Sequence, residues 1–204
     1  MTVDERTLAL VRAALAEDVG DGDVTTGSTI PAGHVSRGTI LAKAEGVVAG
    51  LDVARAVFEE CDRGLTFTAR LRDGDAMAPG DVLATVEGRT RGILTGERVA
   101  LNFLQRLSGI ATATAACVAA LSGSRTRVLD TRKTTPGLRW LEKYAVTVGG
   151  GENHRMGLWD MVLIKDNHIA AAGGIAEAVS AARAAHPELA VEVEVKSIDQ
   201  VAAA

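Results

Sequence analysis

From residue 127 onward the chain repeats one pattern. A short apolar run closes on a polar cluster, and a helical stretch precedes the next run. Arg127-Val128-Leu129 leads into Asp130-Thr131-Arg132-Lys133-Thr134-Thr135, and Val146–Val148 into Gly149-Gly150-Gly151. Met161–Ile164 leads into Lys165-Asp166-Asn167-His168. In a fourth run, Val191–Val195, valines alternate with Glu192 and Glu194. Residues 138–145 and 176–185 read as helices between the runs. Alternating strands and helices predict a parallel sheet or β/α barrel. Barrels of this kind carry their active sites at the C-terminal ends of the strands, which is where these polar clusters stand.

The clusters are cationic. Between Arg125 and His168 eight Lys/Arg face five Asp/Glu, a local charge of +3 in a chain whose net charge is −4. An acidic protein with one basic pocket suits a small, highly charged anion and not a nucleic-acid track. Arg matches planar carboxylates through its fork, and Lys serves phosphate as a point charge. Glu192 and Glu194 share one side of their strand. A carboxylate facing a barrel interior must be paired or metal-bound, which makes either a candidate metal ligand. No Gly-x-Ser-x-Gly or Cys/His pair points to acyl chemistry. The triple glycine matches no phosphate-binding fingerprint and reads equally as a tight turn before a helix.

The first hundred residues read as a compact α+β unit. Leu8, Leu10, Val11 and Leu15 sit near helical spacing after Asp4, a candidate cap. Glu17–Asp23 is acidic and glycine-punctuated, read as a solvated turn because its spacing fits no calcium loop. Residues 35–50 suggest a bent strand or strand pair, and Leu51–Cys61 a helix. Short strands broken by Asp73-Gly74-Asp75, Pro79-Gly80-Asp81 and Glu87-Gly88 follow. Gly96–Leu121 is helical, with Gly109 placed to break it, and leads toward the second domain. Its most apolar part, Ile110–Leu121, is too short to span a bilayer, and the N-terminal residues have no signal-peptide pattern. The chain is therefore expected to be cytoplasmic, without membrane contact, and its two cysteines, Cys61 and Cys117, to be reduced and buried.

Taken together, these motifs resemble the quinolinate phosphoribosyltransferase family. The resemblance rests on Thr131–Arg139, Glu142-Lys143-Tyr144-Ala145-Val146, Gly149-Gly150-Gly151, His154-Arg155, Gly157-Leu158 and Leu163–His168. Upstream it rests on Glu17-Asp18, Gly22–Thr26, Gly46–Gly50 and Gly96-Glu97-Arg98. It implies an α/β fold, with an N-terminal α/β sandwich over 1–108 and a TIM-like β/α barrel beginning at 109 and incomplete at 204. It implies a homodimer in which Arg98 is donated to the neighbouring subunit's site. Thr131, Arg132, Lys133, His154, Arg155 and Lys165 are implied to hold quinolinate and the phosphoribosyl group. By the same resemblance Glu194 is expected on the ribose and magnesium side, and Lys133 and Glu194 are the catalytic candidates. The implied reaction joins quinolinate to phosphoribosyl pyrophosphate with Mg2+ and loses CO2, giving nicotinate mononucleotide.

The chain ends before the family's second ribose-side acid, its phosphate loops and the segment that returns to the first domain. It is thus expected to be a fragment with open strand edges. Lys196 stands where relatives often carry an acidic or polar residue. Two other readings are a relative of different specificity, such as a molybdenum-transport relative or a nicotinate phosphoribosyltransferase, and a carrier module modified at Lys43. The Arg98, Arg132, His154 and Arg155 set favours a dicarboxylate. Lys43 lacks the hairpin turn a carrier needs.

Overall fold

The computed structural model describes residues 2–204. The chain forms two compact units, one comprising residues up to 130 together with 134–153, the other 131–133 and 154–204.

Local chemistry sets the helix starts of the first unit. Asp4 accepts from the Thr7 amide at 2.8 Å and caps α1 (Glu5–Val19). Asp23 does the same for α2 (Val24–Thr29), accepting from Thr26 N at 2.9 Å, so the acidic loop ends in a helix cap. β1 (Val35–Leu41) and β2 (Gly46–Val47) follow, then α3 (Leu51–Cys61). No side chain of its own neighbourhood caps α3. The Asp73 carboxylate accepts from Gly50 N at 2.9 Å and Leu51 N at 3.1 Å instead. Tyr144 donates its hydroxyl to the same carboxylate at 2.6 Å. Burial first, and the hydrogen bond to Asp73 second, push that hydroxyl's pKa up.

β3 (Thr66–Ala69), β4 (Ala76–Met77) and β5 (Val82–Arg89) complete two antiparallel sheets, ordered β1-β5-β3 and β2-β4. In the larger sheet Thr85 of β5 stands opposite Thr39 and Thr68. α4 (Thr90–Ala120) lies over this layer with α3. One core joins them: Val53, Val57 and Phe58 of α3, Val86 of β5, and Val99, Phe103, Leu104 and Leu107 of α4.

α4 passes through Gly109 without a break. Interior glycine costs a helix about 1 kcal/mol relative to alanine. Burial of Leu104 and Leu107 before it and Ala111 after it against the same core outweighs that cost. By length and apolarity α4 is the one described helix able to cross a membrane, but its apolar stripe is the spine of this core. Cys61 is half-buried and Cys117, on α4, is exposed. The expectation of two buried thiols therefore fails for Cys117. Burial raises the Cys61 thiol to about 11.

α5 (Arg139–Val148) corrects two further readings. Val146–Val148 is its last turn and not a strand, because Leu141 and Ala145 are buried in the core and the Gly149 N–H continues the helical pattern onto Ala145 O. The triple glycine follows this helix and does not precede one. A Cβ at Gly149 would stand 2.3 Å from Ala111 O and 2.7 Å from Thr114 Cβ, and at Gly151 2.8 Å from Val146 Cγ1. Gly150 has φ +86°. These glycines serve close packing against α4 and a tight exit from α5.

In the second unit β6 (Val162–Ile164) pairs in parallel with β7 (Val191–Val193), Leu163 opposite Glu192. α6 (Asp166–Ala172) and α7 (Ile175–Ala185) form the crossover, and α8 (Ile198–Val201) follows β7. Ile164, Ile175, Ala178 and Val179 make its small core. Among the described residues β6 and β7 pair only with each other. The architecture is mixed α/β.

Gly149→Ala is expected to destabilise the protein by about 1–3 kcal/mol, since the carbonyl it meets cannot move without α4. Gly33→Ala, with open space around the new methyl, should change stability by less than about 0.5 kcal/mol. Urea unfolding of both variants checks this.

Candidate active site

Of the eight Lys/Arg between 125 and 168, Arg132, Lys133, Arg155 and Lys165 lie in the second unit with His154, Glu192 and Glu194, and the other four lie in the first. Lys165 directly follows β6 and Glu194 directly follows β7, so both stand at the C-terminal ends of neighbouring parallel strands. The Lys165 ammonium lies 3.4 Å from Glu194 Oε2, with both side chains about half exposed. Glu194 N donates to Ile164 O at 2.8 Å, which fixes its backbone beside β6. His154 Nε2 is 2.8 Å from Glu192 Oε2. Both acids are exposed on one side of the strand while Val191, Val193 and Val195 are half-buried. The period-two reading of this run therefore holds, and each carboxylate faces a nitrogen base.

Arg155, half-buried, donates to Met161 O at 3.3 Å. Thr131 Oγ1 accepts from Lys133 N at 3.0 Å, a small turn that leaves Thr131 and Lys133 exposed and Arg132 half-buried between them. His168 Nδ1 accepts from Lys165 N at 2.9 Å, which places that ring's proton on Nε2 in its neutral form. Lys196 pairs with Asp166 at 3.0 Å. This contact first, and the Asn167 amide second, hold the Asp166 carboxyl below its usual range. Lys196 thus ties the segment after β7 to the start of α6.

Arg98 lies in the other unit, on the exposed side of α4 between Glu97 and the buried Val99. Among the described residues it makes no ion pair.

Sequence reasoning passed over the residues that brace Thr131–Lys133. Asp130, before the turn, bonds the Lys143 ammonium of α5. After it, Arg139 Nε donates to Thr134 Oγ1 at 3.0 Å, and Glu142 Oε2 accepts from Thr135 N at 3.0 Å. Arg106 of α4 holds Glu142 Oε1 through Nη2 at 2.6 Å and Nε at 3.0 Å. No spacing rule signals them: Leu141 and Ala145 share one face of α5, while Glu142 and Lys143 lie off that face at helical spacing and are nevertheless buried.

For a metal the described residues offer no cluster of three or more His, Cys, Asp or Glu. They do offer the exposed, oxygen-bearing pair Glu192 and Glu194. That set suits Mg2+, which keeps its waters and is shared between one or two carboxylates and a substrate's phosphates.

The profile of "Quinolinate phosphoribosyl transferase, N-terminal domain" matches residues 23–108, and that of the C-terminal domain matches 110–204. Nicotinate-nucleotide pyrophosphorylase [carboxylating] of Mycobacterium leprae is 50% identical over 194 residues, covering 94% of this chain and 68% of the relative. Quinolinate phosphoribosyltransferase [decarboxylating] 1b of Nicotiana tabacum is 46% identical, covering 94% of this chain and 56% of its own length. The crystal structure of NadC from Streptococcus pyogenes superposes with a TM-score of 0.94 at 46% identity, over 100% of this chain and 73% of that one. The chain belongs to the quinolinate phosphoribosyltransferase family. It spans between about half and two thirds of the curated relatives' length. With both family halves matched, the carrier reading of Lys43 is discarded.

Burial alone would raise the Glu142 pKa. The Arg106 guanidinium, with the Thr135 hydroxyl and amide, outweighs it and holds the carboxyl below the usual glutamate range. A folded-state pKa below the unfolded value gives stability that is full above about 4.5 and lost as pH falls through the lowered value. Glu142→Gln should therefore flatten the acid limb of the stability–pH curve. Urea midpoints measured from pH 7 down to pH 3 read this out, and parallel wild-type and variant curves would contradict it.

Proposed function

We propose that this chain carries the quinolinate site of a decarboxylating phosphoribosyltransferase. The observation that carries the reading is the set of cations and acids at the C-terminal ends of β6 and β7, in a chain of this family. The β6–α6–α7–β7 unit is then part of a TIM-like barrel, whose strand ends face the substrates. Quinolinate brings two carboxylates. His154, Arg155, Arg132 and Lys133 supply the charge-assisted donors to hold them. Lys165 and Glu194 meet the phosphoribosyl side.

The ring nitrogen of quinolinate attacks C1 of phosphoribosyl pyrophosphate, and the bond from C1 to the pyrophosphate oxygen breaks. Glu194, on the ribose side, faces the positive charge that develops in the sugar. The C–CO2 bond then breaks, its electron pair stays on the adjacent ring carbon as a carbanion stabilised by the positive charge of the quaternised nitrogen, and a solvent proton fills that carbon. Neither step needs a general base on the protein, so orientation and electrostatic preorganisation provide the acceleration. Mg2+, held on the Glu194 side, supplies charge neutralisation for the departing pyrophosphate.

Arg98, exposed on α4, is assigned to the site of a second copy in a homodimer. Carboxyl-labelled quinolinate, phosphoribosyl pyrophosphate and Mg2+ should together release labelled CO2, and omission of any one should stop it. No release from folded protein, or equal turnover of nicotinate, would overturn the reading. Arg155→Ala should lower kcat/KM for quinolinate about 10- to 100-fold, the worth of one hydrogen bond to a charged group. Arg98→Ala and Lys133→Ala, each inactive alone, should on mixing recover about a quarter of the sites, because random C2 heterodimers contain one intact site each. No recovery would place Arg98 in its own subunit's site, and an active Arg98→Ala variant would place it outside any.

A further inference from the structure

Lys143 is fully buried, with 0% exposure, and so far has no part in the chemistry. Its ammonium bonds Asp130 Oδ1, whose side chain is only 6% exposed. Asn153, with its amide turned so that the NH2 group faces acceptors, donates to Asp130 Oδ2 at 2.6 Å and to the Lys143 main-chain oxygen at 2.9 Å. A short parallel bridge backs this triangle: Asp130 N donates to Glu152 O at 3.1 Å and Glu152 N to Val128 O at 2.8 Å.

The chain positions of the two partners give the triangle its meaning. The first unit ends at Asp130, resumes at Thr134 and ends again at Asn153. Asp130 is therefore bonded covalently to Thr131, the start of Thr131-Arg132-Lys133, and Asn153 to His154, the start of His154-Arg155. Both segments assigned to quinolinate leave the first unit from residues held by one lysine. Burying an ion pair costs several kcal/mol per ion before any return, and apolar side chains of similar size are often as good or better for stability. Stability alone does not account for a charge pair at this position, whereas directional bonds to two chain exits fix geometry that an apolar contact leaves loose.

We propose that Lys143 is a positioning residue: through Asp130 and Asn153 it sets where both quinolinate-binding segments begin. α5 completes the arrangement, since Arg139 and Glu142 hold Thr134 and Thr135 on the far side of the first segment. The link to quinolinate rests on the function proposed above. The clamp itself does not.

The test uses the full chain with Lys143→Met, and with Lys143→Met combined with Asp130→Leu. The single variant strands a buried carboxylate and is strongly destabilised. The double variant removes both charges and should unfold at nearly the wild-type temperature. Hydrogen exchange is expected to quicken about tenfold or more at residues 131–133 and 154–155 of the double variant, while α3 and α4 keep their protection, as local loosening without global unfolding requires. KM for quinolinate should rise about tenfold with a smaller change in kcat, the pattern of lost ground-state positioning. Unchanged exchange at both segments, or an unchanged KM in an otherwise active double variant, overturns the proposal. If the wild-type chain neither binds nor turns over quinolinate, the functional reading fails, and the exchange result alone decides the clamp.

Discussion

The first unit depends on how closely α5 and its glycine exit approach α4. Gly149 touches the carbonyl of Ala111, and Gly151 packs on Thr114. No other residue type permits that distance. Because α5 is pressed there, Leu141 and Ala145 join the common core, and Arg106 of α4 reaches Glu142. The polar face of α5 is then left in register with residues 130, 134, 135 and 153. Packing of small side chains thus decides where charged ones can act. This also explains a composition with few aromatics: a core of Ala, Val and Leu lets helices and strands approach where larger rings would hold them apart.

Much of this was legible in the sequence. Asp4 as a cap, Leu51–Cys61 as a helix, the turn-separated strands between 65 and 91, and the alternation of Glu192 and Glu194 each rest on local rules, and the structure keeps them. Two misreadings share one cause. Gly109 and Val146–Val148 were judged by local propensity, and tertiary burial overrode it: α4 continues because both its flanks are buried, and valines finish α5 because Leu141 and Ala145 already hold it. Cys117 was judged by the habits of its residue type, while its position on α4 faces outward. The fold that Lys143 serves was not legible either. A buried lysine is rare enough to be discounted from sequence, and its partners lie 13 and 10 residues away in opposite directions along the chain.

The site residues divide along similar lines. Their types followed from charge clustering and their roles from family resemblance. What neither supplied is the pairing: His154 with Glu192, Lys165 with Glu194, Lys196 with Asp166. Parallel register creates the second and third of these pairs. Leu163 opposite Glu192 puts the residues following β6 and β7 side by side, and a one-residue slip would turn both acids to the other face.

Those pairs have a consequence for how an anion enters. Under the proposed assignment, His154 already faces Glu192 and Lys165 already faces Glu194 before any ligand arrives. Anion entry would then be an exchange, in which the ligand displaces a carboxylate from each nitrogen and offers better geometry in return. An anion of lower charge would return less at each, so selectivity would arise from what the site gives up as much as from what it gains.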